Sequence, residues 1–229
     1  MDDSAAETIV AATTPRGEIA LRERAHPDGS GSVVHELVVA GVFAMDSLDT
    51  STETALAVEA LTRTAAPGRV LVGGLGLGFT TWQVLKDKRV RQVDVVELEP
   101  DLVEWARLGL APTLGLVARH PRVRVHAGDI APVLRGAATP FGPWDLVLLD
   151  VDNGPSFLVH DANARIYSPD ALRSAVDQLA PGGTLAIWAA QREPDLLTTL
   201  QPLGATEEIL LEVEREGRTL TYALYLTRP

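Results

Sequence analysis

A glycine-rich segment followed by a single carboxylate is the part of the chain best suited to hold a nucleotide-type cofactor. An apolar run ends at Gly73 and leads into the spaced glycines Gly74, Gly76 and Gly78. Because glycine carries no side chain, the backbone can turn sharply here and a ligand can approach the start of the next helix. Glu97 ends a second apolar run 19 residues after Gly78. There its carboxylate can accept hydrogen bonds from both ribose hydroxyls of an adenosine-type cofactor.

Two further acids follow later apolar runs and could act on bound ligands. Asp129 can accept a hydrogen bond from an adenine amino group, or it can cap the helix that begins at Ile130, and the two roles are compatible. Asp150 directly follows an apolar run. Its carboxylate can orient a substrate amine and accept its proton. The alternative for Asp150 is an Asx turn that supports the following loop.

Asp152, Asn153 and Tyr167 are further candidates for the same site. Asp152 and Asn153 lie in the turn after Asp150, where they either assist the reaction or form the turn. Tyr167 could direct its phenol toward the site as a catalytic group, or it could pack beside Ile166. The histidines have no spacing typical of metal ligands, so we predict no metal site.

Alternating strands and helices must position these side chains. Ligands bind beyond the carboxyl ends of the strands in an open α/β sheet, so the candidate acids should share one edge. The alternation predicts a mostly parallel sheet with right-handed crossovers. A final alternating segment, 207–226, predicts an antiparallel hairpin around Arg215-Glu-Gly-Arg218. The predicted parallel strands are 70–73, 93–98, 123–126, 146–150 and 184–188.

The first part of the chain has a different pattern. Short apolar runs separated by turn residues predict a small antiparallel β unit. Thr50-Ser-Thr-Glu53 has capping-box spacing before an apolar-periodic run, which predicts a helix. We therefore divide the chain into an N-terminal β-strand unit, 1–48, and a cofactor-binding catalytic domain, 49–229. The predicted N-terminal strands are 8–12, 17–23, 32–39 and 41–45.

Composition limits the classes of function. The chain has 229 residues, 46% of them hydrophobic, which is enough for one sizeable α/β core. A net charge of −11 opposes nucleic-acid binding and is compatible with a cationic substrate. Without cysteines there is neither a disulfide nor thiolate chemistry. The segment Met1-Asp-Asp-Ser-Ala-Ala-Glu has no signal-peptide pattern, so we expect a soluble, cytoplasmic protein with no membrane partner.

Taken in order, these segments resemble the polyamine aminopropyltransferases, the spermidine synthase family, which share the Rossmann-like fold of S-adenosylmethionine-dependent methyltransferases. The resemblance covers residues 35 to 200. It implies an S-adenosylmethionine or decarboxylated S-adenosylmethionine ligand, with Glu97 on the ribose, Asp129 at the adenine and Asp150 as the proton acceptor. It also implies a homodimer. The segments that carry the resemblance are Val70-Leu-Val-Gly-Gly-Leu-Gly-Leu-Gly, Val96-Glu-Leu-Glu-Pro, Pro121-Arg-Val-Arg-Val-His-Ala-Gly-Asp, Trp144-Asp-Leu-Val-Leu-Leu-Asp, Ile166-Tyr-Ser and Leu179-Ala-Pro-Gly-Gly.

The chain departs from the family at positions that bind amines. The glycine-loop Asp that holds the amine of the aminopropyl donor in the family corresponds to Leu77. The second carboxylate of the family's Asp-x-x-Asp-Pro loop is replaced by Asn153 or displaced to Asp152. A family Gln falls on Ala44, and the Tyr-His-Glu pattern is missing around Ala57-Val-Glu59. A dication needs an anionic partner at both ends, because burying an unpaired charge costs several kcal/mol.

Three functions follow from these observations. The favoured one is methyl transfer from S-adenosylmethionine to a small-molecule amine or hydroxyl, with Asp150 as base. The alternative is aminopropyl transfer from decarboxylated S-adenosylmethionine, with Asp150 and Asp152 holding the acceptor amine. A third is a non-catalytic or dimerising homologue that keeps the cofactor pocket. A nicotinamide oxidoreductase shares the glycine loop and the ribose acid, but it fits the segment after Asp150 poorly.

Overall fold

The computed structural model describes residues 6–215 and 217–229. Residues 1–5 of the predicted N-terminal unit and Glu216 of the predicted hairpin turn lie outside the described residues. Two β-sheets form the framework, one of four strands and one of seven.

The four-stranded sheet is antiparallel, and its strands lie in chain order. Three of its buried side chains, Ile19, Leu21 and Leu37, belong to the same core cluster as residues of the larger sheet. This sheet is therefore packed on the rest of the molecule by its apolar face. Its strands are β1 (Glu7–Thr14), β2 (Gly17–Ala25), β3 (Val33–Val39) and β4 (Val42–Asp46).

The seven-stranded sheet has the order β10-β11-β9-β8-β5-β6-β7. Strands β5 to β9 are parallel neighbours, and β11 joins β9 in antiparallel orientation before the final hairpin with β10. This arrangement confirms the predicted Rossmann-like α/β fold with a terminal antiparallel hairpin. The strands are β5 (Arg69–Gly73), β6 (Gln92–Glu97), β7 (Val123–Ala127), β8 (Trp144–Leu149), β9 (Leu179–Ala189), β10 (Ala205–Arg215) and β11 (Arg218–Arg228).

Helices cover both faces of this sheet. Strand β8 illustrates this, because its successive side chains are buried on opposite faces. Leu146 and Leu148 belong to one core cluster, and Val147 and Leu149 belong to the other. A strand buried on both faces appears in sequence as a continuous apolar run. The helices are α1 (Ser51–Arg63), α2 (Phe79–Leu85), α3 (Pro100–Leu108), α4 (Pro112–Ala118), α5 (Ile130–Leu134), α6 (Pro169–Asp177) and α7 (Pro194–Leu200), with 3-10 turns at Asp161–Tyr167 and Gln201–Leu203.

Helix α1 lies where the sequence predicts a helix, but the expected capping box is not formed. Thr50 is the N-cap residue and makes no side-chain capping hydrogen bond. Glu53 instead accepts a hydrogen bond from the Thr52 hydroxyl at 2.9 Å and is only 8% exposed. The Thr50 half of the predicted capping box is therefore not formed.

Candidate active site

The glycine loop passes so close to the end of β8 that a side chain would not fit at its first position. Gly74 has φ +90°, and a Cβ atom there would lie 2.1 Å from the Asp150 carbonyl oxygen. Its N–H donates to the Val96 carbonyl oxygen at 2.9 Å. Gly76 has φ +49°, and a Cβ atom there would lie 2.6 Å from the Met45 sulfur. The loop is thus held between β8, β6 and the N-terminal sheet.

Gly78, the last glycine of the loop, lies in a packed contact between helices. Gly78 is the N-cap residue of α2 with φ +91°, and a Cβ there would meet Val117 of α4 at 3.3 Å. It does not line the cavity described below. Gly78 therefore serves helix packing, in contrast to the cofactor contact predicted for it. The neighbouring Leu77 is 1% exposed and belongs to the core, so its side chain is also directed away from the cavity.

The carboxyl ends of β5, β6, β7 and β8 surround a cavity of about 180 Å³ that also borders α1 and the N-terminal sheet. Apolar side chains form much of its wall. Among the described residues that line it there is neither a lysine nor an arginine, so its ionisable groups are acids apart from His160. Such a lining favours a cationic ligand. The acids are Glu53, Glu97, Glu99, Asp129, Asp150 and Asp152.

Glu97 lies at the end of β6 and is oriented by backbone donors. Its Oε2 accepts a hydrogen bond from the Leu75 N–H, and its Oε1 accepts one from the Glu99 N–H, both at 2.8 Å. Burial raises the pKa of Glu97, and these hydrogen bonds oppose that rise. The glycine loop thus holds the Glu97 carboxylate at the wall of the cavity. Its remaining lone pairs can accept hydrogen bonds from ribose hydroxyls.

Glu99 makes a polar contact between this site and the turn that joins β1 and β2. Arg16, in the turn between β1 and β2, donates from Nε and Nη2 to the two Glu99 oxygens at 2.6 and 2.9 Å. It also donates to the Leu98 carbonyl oxygen at 3.0 Å. The His160 Nε2 lies 4.0 Å from the Glu99 carboxylate. Arg16 also lines a second, wider cavity of about 870 Å³ that adjoins the first.

Asp129 has the capping role that the sequence allowed. Its Oδ1 accepts a hydrogen bond from the Ala131 N–H at 2.8 Å, and its Oδ2 pairs with Arg165. It nevertheless lines the cavity beside Ile130. The proposed adenine contact therefore stays a prediction that is compatible with the observed cap.

Asp150 leaves β8 directly into the cavity. Its backbone N–H donates to the Gly73 carbonyl oxygen at 3.0 Å, and its Oδ2 accepts a hydrogen bond from the Thr80 hydroxyl at 2.5 Å. Desolvation by burial raises the pKa of the Asp150 carboxyl, while the Thr80 hydrogen bond opposes the rise. A carboxylate with a raised pKa is better matched to accepting a proton near neutral pH.

Asp152 forms the loop after Asp150. It has φ +54°, an uncommon conformation for a residue other than glycine. Its Oδ1 accepts a hydrogen bond from the Val159 N–H at 2.7 Å, and its Oδ2 accepts one from the Asn163 side chain at 2.5 Å. The neighbouring Asn153 accepts from the Ala190 N–H at 3.0 Å through its carbonyl oxygen. These bonds support the turn-forming alternative for Asp152.

Tyr167 supports the same loop from behind. Its hydroxyl donates to the Val151 carbonyl oxygen at 2.7 Å, and the residue is 7% exposed. It is not one of the residues that line the cavity, and burial strongly raises the pKa of its phenol. The structure therefore places Tyr167 in the support of the loop and not beside the reacting atoms, against the catalytic role predicted for it.

Sequence reasoning missed several polar residues of the site, among them Glu53, Thr80 and Glu99. Glu53 was explained by its capping-box spacing, and Thr80 lies in a helix start with no pattern of its own. Glu99 follows the predicted ribose acid by two positions, and this closeness was the only available signal.

No group of three or more metal-ligating side chains that could hold an ion occurs within residues 6–215 and 217–229. In the same described part of the chain, none of the helices combines the length and the apolar character needed to cross a membrane.

The fold and site together define a Rossmann-like α/β protein with an acidic ligand cavity at the strand ends and a small antiparallel sheet over it. Comparison with known proteins agrees with the family resemblance. The chain is 33% identical over 120 residues to a polyamine aminopropyltransferase of Mycobacterium tuberculosis, which is 52% of this chain and 22% of the relative. It is 37% identical over 139 residues to polyamine aminopropyltransferase 2 of Streptomyces coelicolor, which is 57% of this chain and 24% of the relative.

A solved structure extends the likeness to nearly the whole chain. A crystal structure of spermidine synthase in complex with the transition state analogue AdoDATO matches 97% of this chain and 73% of that one, with a TM-score of 0.78 and 18% identity. No protein-family model matches the chain. The chain is thus spermidine synthase-like in sequence and fold, while it spans less than a quarter of the length of the two relatives above.

Proposed function

We propose that the protein transfers an aminopropyl group from decarboxylated S-adenosylmethionine to a small amine. This is the alternative set out from the sequence, and it replaces methyl transfer as the favoured reaction. The carrying observation is the charge of the cavity: among its described lining residues no lysine or arginine faces the ligand. The carboxylate of S-adenosylmethionine would therefore be buried among acids without a cationic partner, whereas the decarboxylated donor brings only positive charge. The names of the sequence relatives support the same choice.

Asp150 is proposed as the proton acceptor of the transfer. The acceptor nitrogen forms a bond to the donor carbon attached to the sulfonium, the carbon–sulfur bond breaks, and methylthioadenosine leaves with the electron pair. The nitrogen loses a proton to the Asp150 carboxylate. Thr80 holds that carboxylate in one orientation through its 2.5 Å hydrogen bond. The protein otherwise supplies alignment and exclusion of water.

The other residues of the site have supporting roles in this proposal. Glu97 binds the ribose and Asp129 lies at the adenine, while Gly74 and Gly76 let the donor approach the loop. Asp152 shapes the loop that carries the acceptor. We further propose a homodimer and a cytoplasmic location, which size-exclusion chromatography with light scattering and cell fractionation would test.

Donor binding tests the proposal. We expect calorimetric titration to give tighter binding of decarboxylated S-adenosylmethionine than of S-adenosylmethionine. Glu97→Gln should weaken the decarboxylated donor by about tenfold or more, since hydrogen bonds to charged groups contribute about 1.5–3 kcal/mol. Glu104→Gln on α3, an exposed residue paired with Arg107, is the matched control and should change nothing.

Two outcomes would contradict the proposal. Tighter binding of S-adenosylmethionine would restore methyl transfer. Absence of binding to both donors and to methylthioadenosine would show that the cavity is not a site for an S-adenosyl compound.

The acid side of the pH profile tests the role of Asp150. The reaction needs its carboxylate ionised, and burial raises its pKa, so kcat/KM should fall as pH drops through that raised value. Thr80→Val removes a hydrogen bond that lowers the pKa, so its acid limb should move to higher pH by about half to one unit.

Thr81→Val is the matched control for this change. The Thr81 hydroxyl is buried in α2 and makes no hydrogen bond within the described part of the chain. Its variant should keep the wild-type profile. If the pH profile of Thr80→Val coincides with those of the wild type and Thr81→Val, Asp150 is not the titrating group.

A further inference from the structure

The order of the strands separates the two ligands of the proposed reaction. The groups proposed to face the donor lie at the ends of β5, β6 and β7, and Asp150 follows β8. Strand β9 is the other neighbour of β8, on the side away from β5. With the donor at the ends of β5, β6 and β7, the acceptor amine has to reach Asp150 from the side of β9.

Trp188 lies on β9 at the level of Asp150. Ile187 pairs with Leu149 in the parallel register of β9 and β8, and Trp188 and Asp150 are the next residues of the two strands. Trp188 is partly buried and lines the cavity. The Tyr222 ring packs against its indole, with the ring centroids 5.6 Å apart. Trp188 is thus a supported aromatic group beside the proposed base, and such a group offers a large apolar contact surface to a ligand.

The N-terminal sheet adds further apolar side chains to the cavity wall. They belong to the hydrophobic core cluster against which Trp188 packs, or they pack against it themselves. The acids at the ends of β6 and β7 thus have an apolar counterpart in the same cavity. The lining residues that form this apolar wall with Trp188 are Ile19, Leu37, Val39 and Met45.

Acids in and around this part of the cavity are engaged within the protein. Glu53 of α1 accepts a hydrogen bond from the Thr52 hydroxyl at 2.9 Å and is not free. Both oxygens of Asp152 accept hydrogen bonds from its own loop. Glu193, which follows β9, accepts from the Ser156 hydroxyl at 2.5 Å and does not line the cavity. A second ammonium group on the acceptor would therefore be buried against apolar side chains, which is unfavourable.

We propose that the acceptor is an amine with one cationic nitrogen on an apolar body, alkyl or aromatic, and that this body packs on Trp188. This inference rests on the proposed function. The single nitrogen lies at Asp150, which takes its proton during the transfer. The body of the amine replaces water on the indole and on the apolar wall, whereas a diamine would have to bury its second charge there. Trp188 is therefore a specificity-determining residue for the acceptor.

Pentylamine and putrescine form a matched pair of probes. Pentylamine has a methyl group where putrescine has its second ammonium, and the two molecules are otherwise of the same length. We expect the protein saturated with methylthioadenosine to bind pentylamine at least about tenfold more tightly than putrescine in calorimetric titration. Phenethylamine, with an aromatic body, should show the same advantage over putrescine. The kcat/KM for transfer from the decarboxylated donor should follow the same order.

Variants of Trp188 test its role in this preference. Trp188→Ala should weaken both monoamines about tenfold or more, since it removes apolar contact area, and should leave methylthioadenosine within about twofold. Trp188→Phe, which keeps an aromatic ring and disturbs the packing less, should retain most of the preference. Trp188→Glu brings an anion to the apolar wall and should shift the preference toward putrescine.

Trp82→Ala is the matched control. Trp82 is partly buried on α2 and packs against the same core cluster as Trp188, but it does not line the cavity. This variant loses a tryptophan of similar burial and should keep the wild-type order of the amines.

Several outcomes would overturn the inference. Putrescine that binds as tightly as pentylamine or more tightly, or a lack of binding of either monoamine, would refute the proposed class of acceptor. A loss in Trp188→Ala that is equal for the amines and for methylthioadenosine would show that Trp188 has a structural role alone. If the wild type transfers an aminopropyl group and prefers putrescine, only this inference fails. A wild type that binds neither donor nor methylthioadenosine removes the proposed function as well.

Discussion

Asp150→Asn is expected to lower the rate of aminopropyl transfer by about 10²–10⁴-fold, the usual contribution of a positioned proton acceptor. The side chain keeps its shape, and its amide oxygen can still accept the Thr80 hydroxyl. What the variant loses is the ability to take a proton from the acceptor nitrogen. Single-turnover measurement of methylthioadenosine release, with saturating decarboxylated donor, isolates this step from binding.

The affinity for the donor decides how the loss is interpreted. Asp150→Asn should bind methylthioadenosine like the wild type, because the proposed ribose and adenine contacts are made by other residues. Asp170→Asn, an exposed change in the first turn of α6, should leave both rate and affinity unaltered. Unchanged turnover in Asp150→Asn would refute its assignment as the base.

Gly74→Ala is expected to have the largest effect on stability and ligand binding together. An alanine Cβ would lie 2.1 Å from the Asp150 carbonyl oxygen. This oxygen belongs to the backbone, so it cannot move aside as the end of a flexible side chain could. The φ of +90° adds strain of about 1–2 kcal/mol for any residue with a side chain. The variant should lose more than about 3 kcal/mol in the free energy of unfolding.

Denaturant unfolding and calorimetry measure the two consequences of Gly74→Ala. Each kcal/mol lost lowers the Tm by about 2–4 °C in a chain of this size. Gly29→Ala is a control for backbone strain without a steric clash. Gly29 has φ +71°, and a Cβ atom there would have no heavy atom within 4 Å. The control should lose only the strain and keep donor binding. Comparable losses in both variants would show that the contact with Asp150 does not matter.

The sequence predicts the large sheet well because its physical cause is local. A parallel strand covered on both faces must be apolar at successive positions, as in β8, and the chain shows such runs at the right places. Glu97 could be found for the same reason, since the length of a strand–helix–strand unit sets its distance from the glycine loop.

The site residues that sequence reasoning misplaced depend on side-chain direction and loop geometry. Glu53 has the spacing of a capping residue, and only the packing of α1 shows that it is turned toward the cavity. Tyr167 lies beyond a long loop that contains Asp152 with its φ of +54°, and its hydroxyl donates to the backbone carbonyl of Val151. Neither effect leaves a periodic pattern in a single sequence.

The pairing of Arg16 with Glu99 has a consequence for protein engineering. The two residues lie 83 positions apart, and Glu99 is 3% exposed beside the buried Glu97. A chimera that received the N-terminal sheet of another protein without an arginine at this turn would bury two neighbouring acids with no cation between them. Removing one partner of a fully buried ion pair costs about 3–5 kcal/mol, and the 31% exposure of the Arg16 side chain makes the expected loss smaller. Exchange of the N-terminal sheet therefore requires Arg16 and Glu99 to be transplanted as one unit.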